Sequence, residues 1–346
     1  MEHEITPRSR LFSFRGVSYR YVTWNLPATE GALAAPVVLV HGFSQSAATW
    51  EGIAPHIAQG RVVHAFDLVG HGGSDRPEAA LAYGIEAQAE ALLAFLSYIS
   101  AQEDANASGP FDGSAEGVVP HPFGRSAEGS GPRLFGGGGI GRSEPGESRQ
   151  DSSPKPVVVG YSMGGRVALA ALCHDPHPFG TLVLEAAGLG PLDAAERSAA
   201  SDRDFRNAAR LRAEGIEAFM DFWEELPLFA TQHALPDTVR ERIRAERLSN
   251  DPEALARSFE HAGQHAMPSR SRVLEALEKS GVPVLYLAGE LDRKYRSLSE
   301  DVAALPCAEV RVISGAGHDT HLENPSEFVR CLANFLESVS SGSPSS

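Results

Sequence analysis

The stretch that decides the fold is Val157-Val158-Val159-Gly160-Tyr161-Ser162-Met163-Gly164-Gly165-Arg166. Its β-branched run predicts a buried strand, and the Gly-x-Ser-x-Gly pattern that follows predicts a sharp turn into a helix. Glycines at 160 and 164 are needed because neighbouring backbone approaches closely at such a turn. The turn holds Ser162 at strained backbone angles, at the carboxyl edge of a sheet. Ser162 is therefore a candidate catalytic serine.

Two later strands end in residues that complete a catalytic triad with Ser162. The apolar run 284–288 is followed by Asp292, and the run 310–313 leads into a small-residue loop that carries His318. Parallel α/β sheets bind ligands at the carboxyl ends of their strands, where these side chains are expected to meet. The chain order serine, acid, histidine is that of α/β-hydrolases and differs from the other serine triads.

Glu185 is the alternative acid, because the triad acid of this fold can follow an earlier strand. The predicted strand 181–185 ends at this residue, so its carboxylate would lie at the same edge of the sheet. We prefer Asp292 and keep Glu185 as the alternative.

A fourth strand, at 36–41, ends in His41-Gly42-Phe43 and predicts an oxyanion hole. The backbone amides of Phe43 and Met163 are its two predicted donors, each contributing about 3 kcal/mol to stabilising an oxyanion. The next strand, 62–67, opens into a Gly-rich loop whose Asp67 and His71 we expect to brace the loop rather than to do chemistry.

Composition excludes several classes of function. The net charge of −15 opposes binding to nucleic acid or to an anionic membrane surface. No apolar run approaches 18 residues and the start lacks a signal-peptide pattern, so we expect a cytoplasmic protein. The 3 cysteines have no C-x-x-C spacing, which favours reduced thiols and excludes a thiolate zinc site. We predict no metal and no cofactor.

The predicted domain organisation is an α/β core with two insertions. The core comprises 1–100, 156–189 and 282–340, including a strand at 11–22 and a helix at about 85–99. Of the 55 residues from 101 to 155, 26 are Gly, Ser or Pro, so this insertion is predicted to be disordered. Residues 190–281 carry helical periodicity and form a predicted lid. It is rich in arginine, including Arg197, Arg203, Arg206, Arg210 and Arg247.

The chain resembles the MenH family, the 2-succinyl-6-hydroxy-2,4-cyclohexadiene-1-carboxylate synthases of menaquinone biosynthesis. The resemblance covers nearly the whole chain outside 101–155, and the most discriminating features are Arg166, Lys294 and the lid run. The motifs that carry it are 160–169, His41-Gly42-Phe43, 67–72, the lid run Phe222-Trp223-Glu224-Glu225-Leu226-Pro227-Leu228-Phe229, 289–295 and 317–323. It implies an α/β-hydrolase fold, with a mostly parallel, doubly wound sheet and an inserted helical lid.

The resemblance also implies a reaction and a set of binding residues. The triad would remove a proton next to a carbonyl, and a double-bond shift would then eliminate pyruvate from a small polycarboxylate. Arg166 and Lys294 would bind carboxylates through charge-assisted hydrogen bonds. The other implied binding residues are Tyr161, Trp223 and Arg247.

One lid segment departs from the family pattern. Relatives carry G-T-G-x-Q-P-S-L-W where this chain has Gly263-Gln264-His265-Ala266-Met267-Pro268-Ser269-Arg270-Ser271. Of the family's lid arginines, Arg247 fits one, while Arg197 and Arg203 compete for the other. The departure leaves the exact substrate open.

Three functions are compatible with the sequence, and the MenH-like lyase leads. The alternative is a serine hydrolase, either a carboxylesterase or a C–C bond hydrolase, that uses Ser162 as a nucleophile. A non-catalytic binding module is the third, but such a protein is expected to have lost a triad residue. The oligomeric state is left open.

Overall fold

The molecule is built on a twisted eight-stranded sheet, seen in a computed structural model that describes residues 6–24, 34–107 and 154–342. The strand order is β1-β2-β4-β3-β5-β6-β7-β8; β1 and β2 are antiparallel to their neighbours and the other six strands run parallel. The strands are β1 (Arg8–Phe14), β2 (Val17–Trp24), β3 (Val37–Val40), β4 (Val63–Phe66), β5 (Val157–Tyr161), β6 (Thr181–Glu185), β7 (Val284–Gly289) and β8 (Ala308–Ile313).

Helices cover both faces of this sheet. They are α1 (Ala54–Ile57), α2 (Ile85–Ala107), α3 (Met163–His174), α4 (Ala194–Glu224), α5 (Asp237–Leu248), α6 (Pro252–Ala262), α7 (Arg270–Ser280), α8 (Arg293–Ala303), α9 (Thr320–Glu323) and α10 (Pro325–Ser341). One apolar core joins α2 and α3 to the sheet, and a second joins α1 and α10 to its other face. The central strands β3, β5 and β6 are fully buried, as their unbroken apolar runs require.

The first predicted strand, 11–22, is a hairpin instead. β1 and β2 pair across a two-residue turn at Arg15 and Gly16, whose φ angles are 49° and 80°. Positive φ at both positions is the geometry that matches the twist of two antiparallel strands. Gly16, in the middle of the predicted strand, is the residue that indicates this turn in the sequence.

The helix predicted at about 85–99 extends to Ala107 as α2. Residues 101–107 were predicted to belong to the disordered insertion but are helical. The run Ala101-Gln102-Glu103 contains good helix formers and no glycine, so nothing stops the helix there. The rest of that predicted insertion, 108–153, lies outside the described residues.

Three of the four helices between β6 and β7 form a layer over the carboxyl ends of the strands. They are α4, which bends at Gly215, α5 and α6. This layer has its own small apolar core, which includes Phe219, Leu255 and Phe259. The fourth helix, α7, packs against α3, and its Val273 and Leu277 belong to the core of the sheet. Among the described helices, none combines the length and the apolar character needed to cross a membrane.

Candidate active site

Ser162 lies at the turn between β5 and α3 with φ of 48° and ψ of −103°. A Cβ atom on residue 160 would lie 2.6 Å from the Cα of Gly165, and one on residue 164 would collide with the carbonyl oxygen of Val40. The two glycines are therefore required because backbone occupies the space of any side chain. The turn leaves the Ser162 hydroxyl at the carboxyl edge of the sheet.

The structure brings Ser162, His318 and Asp292 together in one hydrogen-bonded chain. The Nε2 atom of His318 lies 3.0 Å from the Ser162 hydroxyl oxygen. Its Nδ1 atom lies 2.8 Å from Oδ2 of Asp292. The side chains of His318 and Asp292 are almost fully buried, at 2% and 4% exposed, so this row of hydrogen-bonded groups meets the cavity at Ser162. This geometry can transfer a proton from Ser162 to His318.

The Asp292 carboxylate is held in place by the start of α8. Its second oxygen accepts a hydrogen bond from the backbone N–H of Tyr295 at 3.1 Å. The Tyr295 ring packs 4.7 Å from the His318 ring. The acid and the base are thus fixed by the same first turn of helix.

The two residues predicted to supply the oxyanion donors lie at the same cavity as Ser162. Phe43 follows β3, Met163 is the first residue of α3, and both line the same cavity as Ser162. Within the described residues, neither backbone N–H donates to a protein acceptor. Two unused amides at this edge of the sheet can bind a developing oxyanion.

Glu185, the alternative acid, is bonded to a different histidine. Its Oε2 atom lies 2.8 Å from Nδ1 of His321, and its Oε1 atom accepts from Thr320 at 2.6 Å. The loop after β4 has the bracing role that we expected. Asp67, fully buried, accepts from the backbone of Ala47 and from that of Gly73.

His71 in the same loop is buried beside His41, and burial lowers its pKa to about 3. Its Nδ1 atom lies 3.0 Å from the Val69 carbonyl oxygen. A neutral, buried imidazole bonded to backbone is a structural element of this loop.

A cavity of about 270 Å³ lies between the helical layer and Ser162. Four cations line it against a single carboxylate, that of Asp204. The cations are Arg166, Arg203, Arg247 and Lys294. The chain as a whole carries a net charge of −15, so this concentration of positive charge is a local feature. The cavity is built to attract anionic groups.

Arg166 and Lys294 are the cations that lack an acidic partner in the part of the chain that the structure describes. Arg166 donates to the Ala262 carbonyl oxygen at 3.0 Å, and burial lowers its pKa. Lys294 lies in the first turn of α8, with Nζ 4.8 Å from the centre of the Tyr295 ring. A half-buried guanidinium without an ion-pair partner carries a charge that an anionic substrate can neutralise.

The lid arginines divide into two groups. Arg203 lines the cavity, whereas Arg197 donates to backbone carbonyl oxygens of His265 and Met267. Of the two candidates, Arg203 and not Arg197 therefore lines the cavity. Arg247 lines the cavity, is 3% exposed and pairs with Glu224 at 3.1 Å.

The other two lid arginines named from the sequence, Arg206 and Arg210, do not line the cavity. Arg210 pairs with Glu214 at 2.7 Å and lies over the Phe222 ring, and the exposed Arg206 does not line the cavity.

Aromatic side chains form the apolar wall of the cavity. Tyr161 and Trp223, both predicted to bind substrate, line it together with Phe229 and Phe259. Two glutamines that line the cavity, Gln45 and Gln264, were not predicted from the sequence. Gln45 lies two positions past Phe43, so its place after β3 was a usable signal. Gln264 belongs to the departing segment 263–271, which therefore contributes directly to the cavity wall.

One cluster of described residues has the chemistry of metal ligands: Glu185, Asp319 and His321, whose candidate ligand atoms lie within 4.8 Å of one another. The Nδ1 atom of His321 already contacts both carboxylates, at 2.8 Å for Glu185 and 3.1 Å for Asp319. We therefore interpret the cluster as a hydrogen-bonded ion network.

The chain is similar in sequence to proteins of known family. The pattern of the Alpha/beta hydrolase family matches residues 37–330. A putative 2-succinyl-6-hydroxy-2,4-cyclohexadiene-1-carboxylate synthase of Bacillus subtilis is 36% identical over 186 residues, which are 54% of this chain and 67% of that protein. The synthase of that name from Citrobacter koseri is 37% identical over 179 residues, covering 52% and 67%.

Solved structures share the fold. MenH from S. aureus superposes with a TM-score of 0.70 at 24% identity, covering 92% of this chain and 98% of that one. A thermophilic esterase from Thermogutta terrifontis gives a TM-score of 0.66 at 21% identity, covering 96% and 99%. The shape alone is thus common to MenH and to an esterase. The matches in sequence show that this chain belongs to the alpha/beta hydrolase family and, within it, to the family of the 2-succinyl-6-hydroxy-2,4-cyclohexadiene-1-carboxylate synthases.

Proposed function

We propose that this protein is a lyase that eliminates pyruvate from 2-succinyl-5-enolpyruvyl-6-hydroxy-3-cyclohexene-1-carboxylate, as in menaquinone biosynthesis. The observation that carries the proposal is the pair of unpartnered cations, Arg166 and Lys294, in the cavity beside the triad. A substrate with several carboxylates supplies negative charge that can pair with these two cations. A neutral ester would leave the half-buried guanidinium of Arg166 without an ion-pair partner.

The proposed reaction begins with loss of a proton from the ring carbon that bears the succinyl chain. Ser162 takes this proton, and its own hydroxyl proton passes to His318, whose charge Asp292 stabilises. The carbonyl of the succinyl chain becomes an oxyanion that the amides of Phe43 and Met163 bind. When the carbonyl re-forms, the ring double bonds shift and the C–O bond to the enolpyruvyl group breaks. The enolpyruvate that leaves takes up the proton held on His318 and tautomerises to pyruvate.

Two groups of side chains orient the substrate in this proposal. Arg166, Lys294 and Arg247 bind carboxylates, with arginine able to make two parallel hydrogen bonds. Tyr161 and Trp223 pack on the ring. At physiological salt the Debye length is about 8 Å, so these local cations outweigh the distant acidic surface.

The decisive test is a steady-state assay on this substrate beside a panel of p-nitrophenyl esters, with pyruvate release as the readout. We expect rapid pyruvate release and negligible ester cleavage. Ester turnover without pyruvate would overturn the proposal in favour of a serine hydrolase. In that case a sulfonyl fluoride would trap Ser162 covalently, and the segment 263–271 would be the first place to seek the altered specificity.

Substitution of Arg166 tests the role of the unpartnered charge. We expect Arg166→Ala to lower kcat/KM for the polycarboxylate about 100-fold, since charged hydrogen bonds contribute about 1.5–3 kcal/mol each. Hydrolysis of a neutral ester, where measurable, should change less than threefold. The matched control is Arg206→Ala, on the exposed face of the lid helix α4. Equal losses on both substrates would mean that Arg166 is structural.

We also propose that the chain divides into a core, residues 1–100, 156–189 and 282–340, and a lid, residues 190–281. In this proposal the lid selects substrates by their charge. A small-molecule polycarboxylate is the proposed partner. The cytoplasmic location and the lack of nucleic-acid or membrane partners stay predictions of the sequence.

A further inference from the structure

A second cluster of ionisable side chains lies buried beside the triad. We call it the buried network: Gln45, Glu185, Asp319 and His321. Each member is at most 3% exposed. The His321 ring contacts both carboxylates through Nδ1, and its Nε2 atom lies 2.9 Å from the Thr49 hydroxyl. The proposed reaction uses none of the three ionisable groups.

The buried network connects the two loops on which catalysis depends. Asp319 directly follows His318, and its Oδ2 atom accepts a hydrogen bond from Nε2 of Gln45 at 2.9 Å. The other end of the same amide, Oε1 of Gln45, accepts from the backbone N–H of Gly42 at 3.2 Å. Gly42 precedes Phe43, the predicted oxyanion donor. One side chain thus joins the histidine loop to the oxyanion loop (residues 42–46).

The network also reaches the turn that carries the nucleophile. The backbone carbonyl of Glu185 accepts from the backbone N–H of Ser162 at 2.9 Å. The Tyr161 ring packs between two histidines, with ring centres 5.4 Å from His318 and 5.2 Å from His321. All three loops of the candidate active site therefore rest on the same buried groups.

Both burial and the neighbouring charges act on the titration of the network. Burial, together with the nearby carboxylate of Glu185, raises the pKa of Asp319 to about 7, against the opposing effect of His321. Burial opposes charge on His321 as well, but the carboxylates of Glu185 and Asp319 outweigh it and raise its pKa. The other ionisable groups that act on the pair are Glu246, Arg247 and Glu323.

We propose that the buried network is a positioning device, in which Gln45 and Asp319 fix the Phe43 amide relative to His318. This inference rests on the proposed function only for the choice of reaction to assay. The distance between an oxyanion donor and a base matters to any reaction of this site, because displacements of about 1 Å can cost about 100-fold in rate. The Gln45 amide is bonded at both ends, to Gly42 and to Asp319, and a buried side chain held in this way resists such displacement.

The test compares two similar substitutions of buried glutamines. Gln45→Met removes both bonds while keeping the size of the side chain. Gln88→Met is the matched control, because Gln88 is buried, donates to the Tyr83 carbonyl oxygen at 2.8 Å and lies outside the site. We expect Gln45→Met to lower kcat at least tenfold with KM within threefold of wild type. Gln88→Met should lower Tm comparably and leave kcat within twofold.

Asp319→Ala and the double variant measure the coupling between the two residues. If they act as one unit, the double variant is no slower than the slower single variant. A kcat for Gln45→Met within twofold of wild type would overturn the proposal, as would losses that multiply in the double variant. If Asp319→Ala does not fold, the comparison of Gln45→Met with Gln88→Met decides by itself.

The rate of Ser162 trapping by a p-nitrophenyl phosphonate separates this inference from the proposed function. Ser162 bonds to phosphorus, p-nitrophenolate leaves, and the hydroxyl proton passes to His318, with the phosphoryl oxygen in the oxyanion hole. If wild type is trapped but releases no pyruvate, the proposed lyase fails while the trapping rates still test positioning. We expect slower trapping in Gln45→Met and an unchanged rate in Gln88→Met; equal rates in both would contradict the inference.

Discussion

Two carboxylate–imidazole pairs lie side by side in this protein, and only one of them is placed to act on a substrate. In each pair a carboxylate oxygen lies 2.8 Å from Nδ1 of the histidine: Asp292 with His318, and Glu185 with His321. The pairs differ at the second ring nitrogen. Nε2 of His318 faces Ser162 and the cavity, whereas Nε2 of His321 faces the buried hydroxyl of Thr49.

The comparison shows that a hydrogen-bonded acid does not by itself make a histidine a catalytic base. The acid fixes the tautomer and the orientation of the ring in both pairs. The group that faces the other ring nitrogen, Nε2, decides the role of each histidine. A strained serine at the edge of a cavity gives a proton-transfer chain, and a threonine in the core gives a structural contact.

The largest expected contrast between the two pairs comes from removing the group that faces Nε2 of the histidine. Ser162→Ala should reduce kcat by at least about 10⁴-fold while Tm changes little, since the residue lines an open cavity. Thr49→Val should leave kcat within threefold and lower Tm by several degrees. An unsatisfied buried nitrogen costs about 1–3 kcal/mol. Pyruvate assays and thermal melts measure both, and full activity in Ser162→Ala would end the triad assignment.

The acids give the next largest contrast. Asp292→Asn should lower kcat by about 10³–10⁴-fold, because the amide no longer stabilises the imidazolium or selects its tautomer. Glu185→Gln should lower kcat only about tenfold, through the displacement of the loops that the buried network holds. Losses of equal size in the two variants would show that the pairs are not distinct in role.

The smallest effect concerns the pH dependence of stability. The carboxyl of Asp319 has a pKa of about 7 in the folded protein, above its ordinary 3.8, so the fold keeps a proton that the unfolded chain releases. Its contribution to stability is therefore lost as pH rises from about 4 to 7, by at most about 1.4 kcal/mol per pH unit. The raised pKa of His321 acts in the same direction.

Thermal melts between pH 4 and 8 test this sign. We expect the Tm of wild type to fall more steeply with rising pH than that of Asp319→Asn, in which no proton is gained or lost. Asp301→Asn, at a half-exposed carboxylate that pairs with Arg270, should follow wild type. Parallel curves for wild type and Asp319→Asn would contradict the perturbed pKa.

Much of the candidate site followed from local pattern. Ser162, Asp292 and His318 each lie just past a strand, and parallel strands deliver such residues to one edge. The hairpin at Arg15-Gly16 and the end of α2 were mispredicted because a single glycine, or a short helix-forming run, competes weakly with the surrounding pattern.

The sequence by itself determined the α/β-hydrolase fold, the strained turn at Ser162 and the family, because these depend on short runs of residues in a fixed order. Only the tertiary structure decided which carboxylate serves which histidine, that Arg203 and not Arg197 reaches the cavity, and that Gln45 joins two loops. The physical reason is that these choices depend on side chains 26 to 274 positions apart in the chain, whose meeting no local pattern encodes.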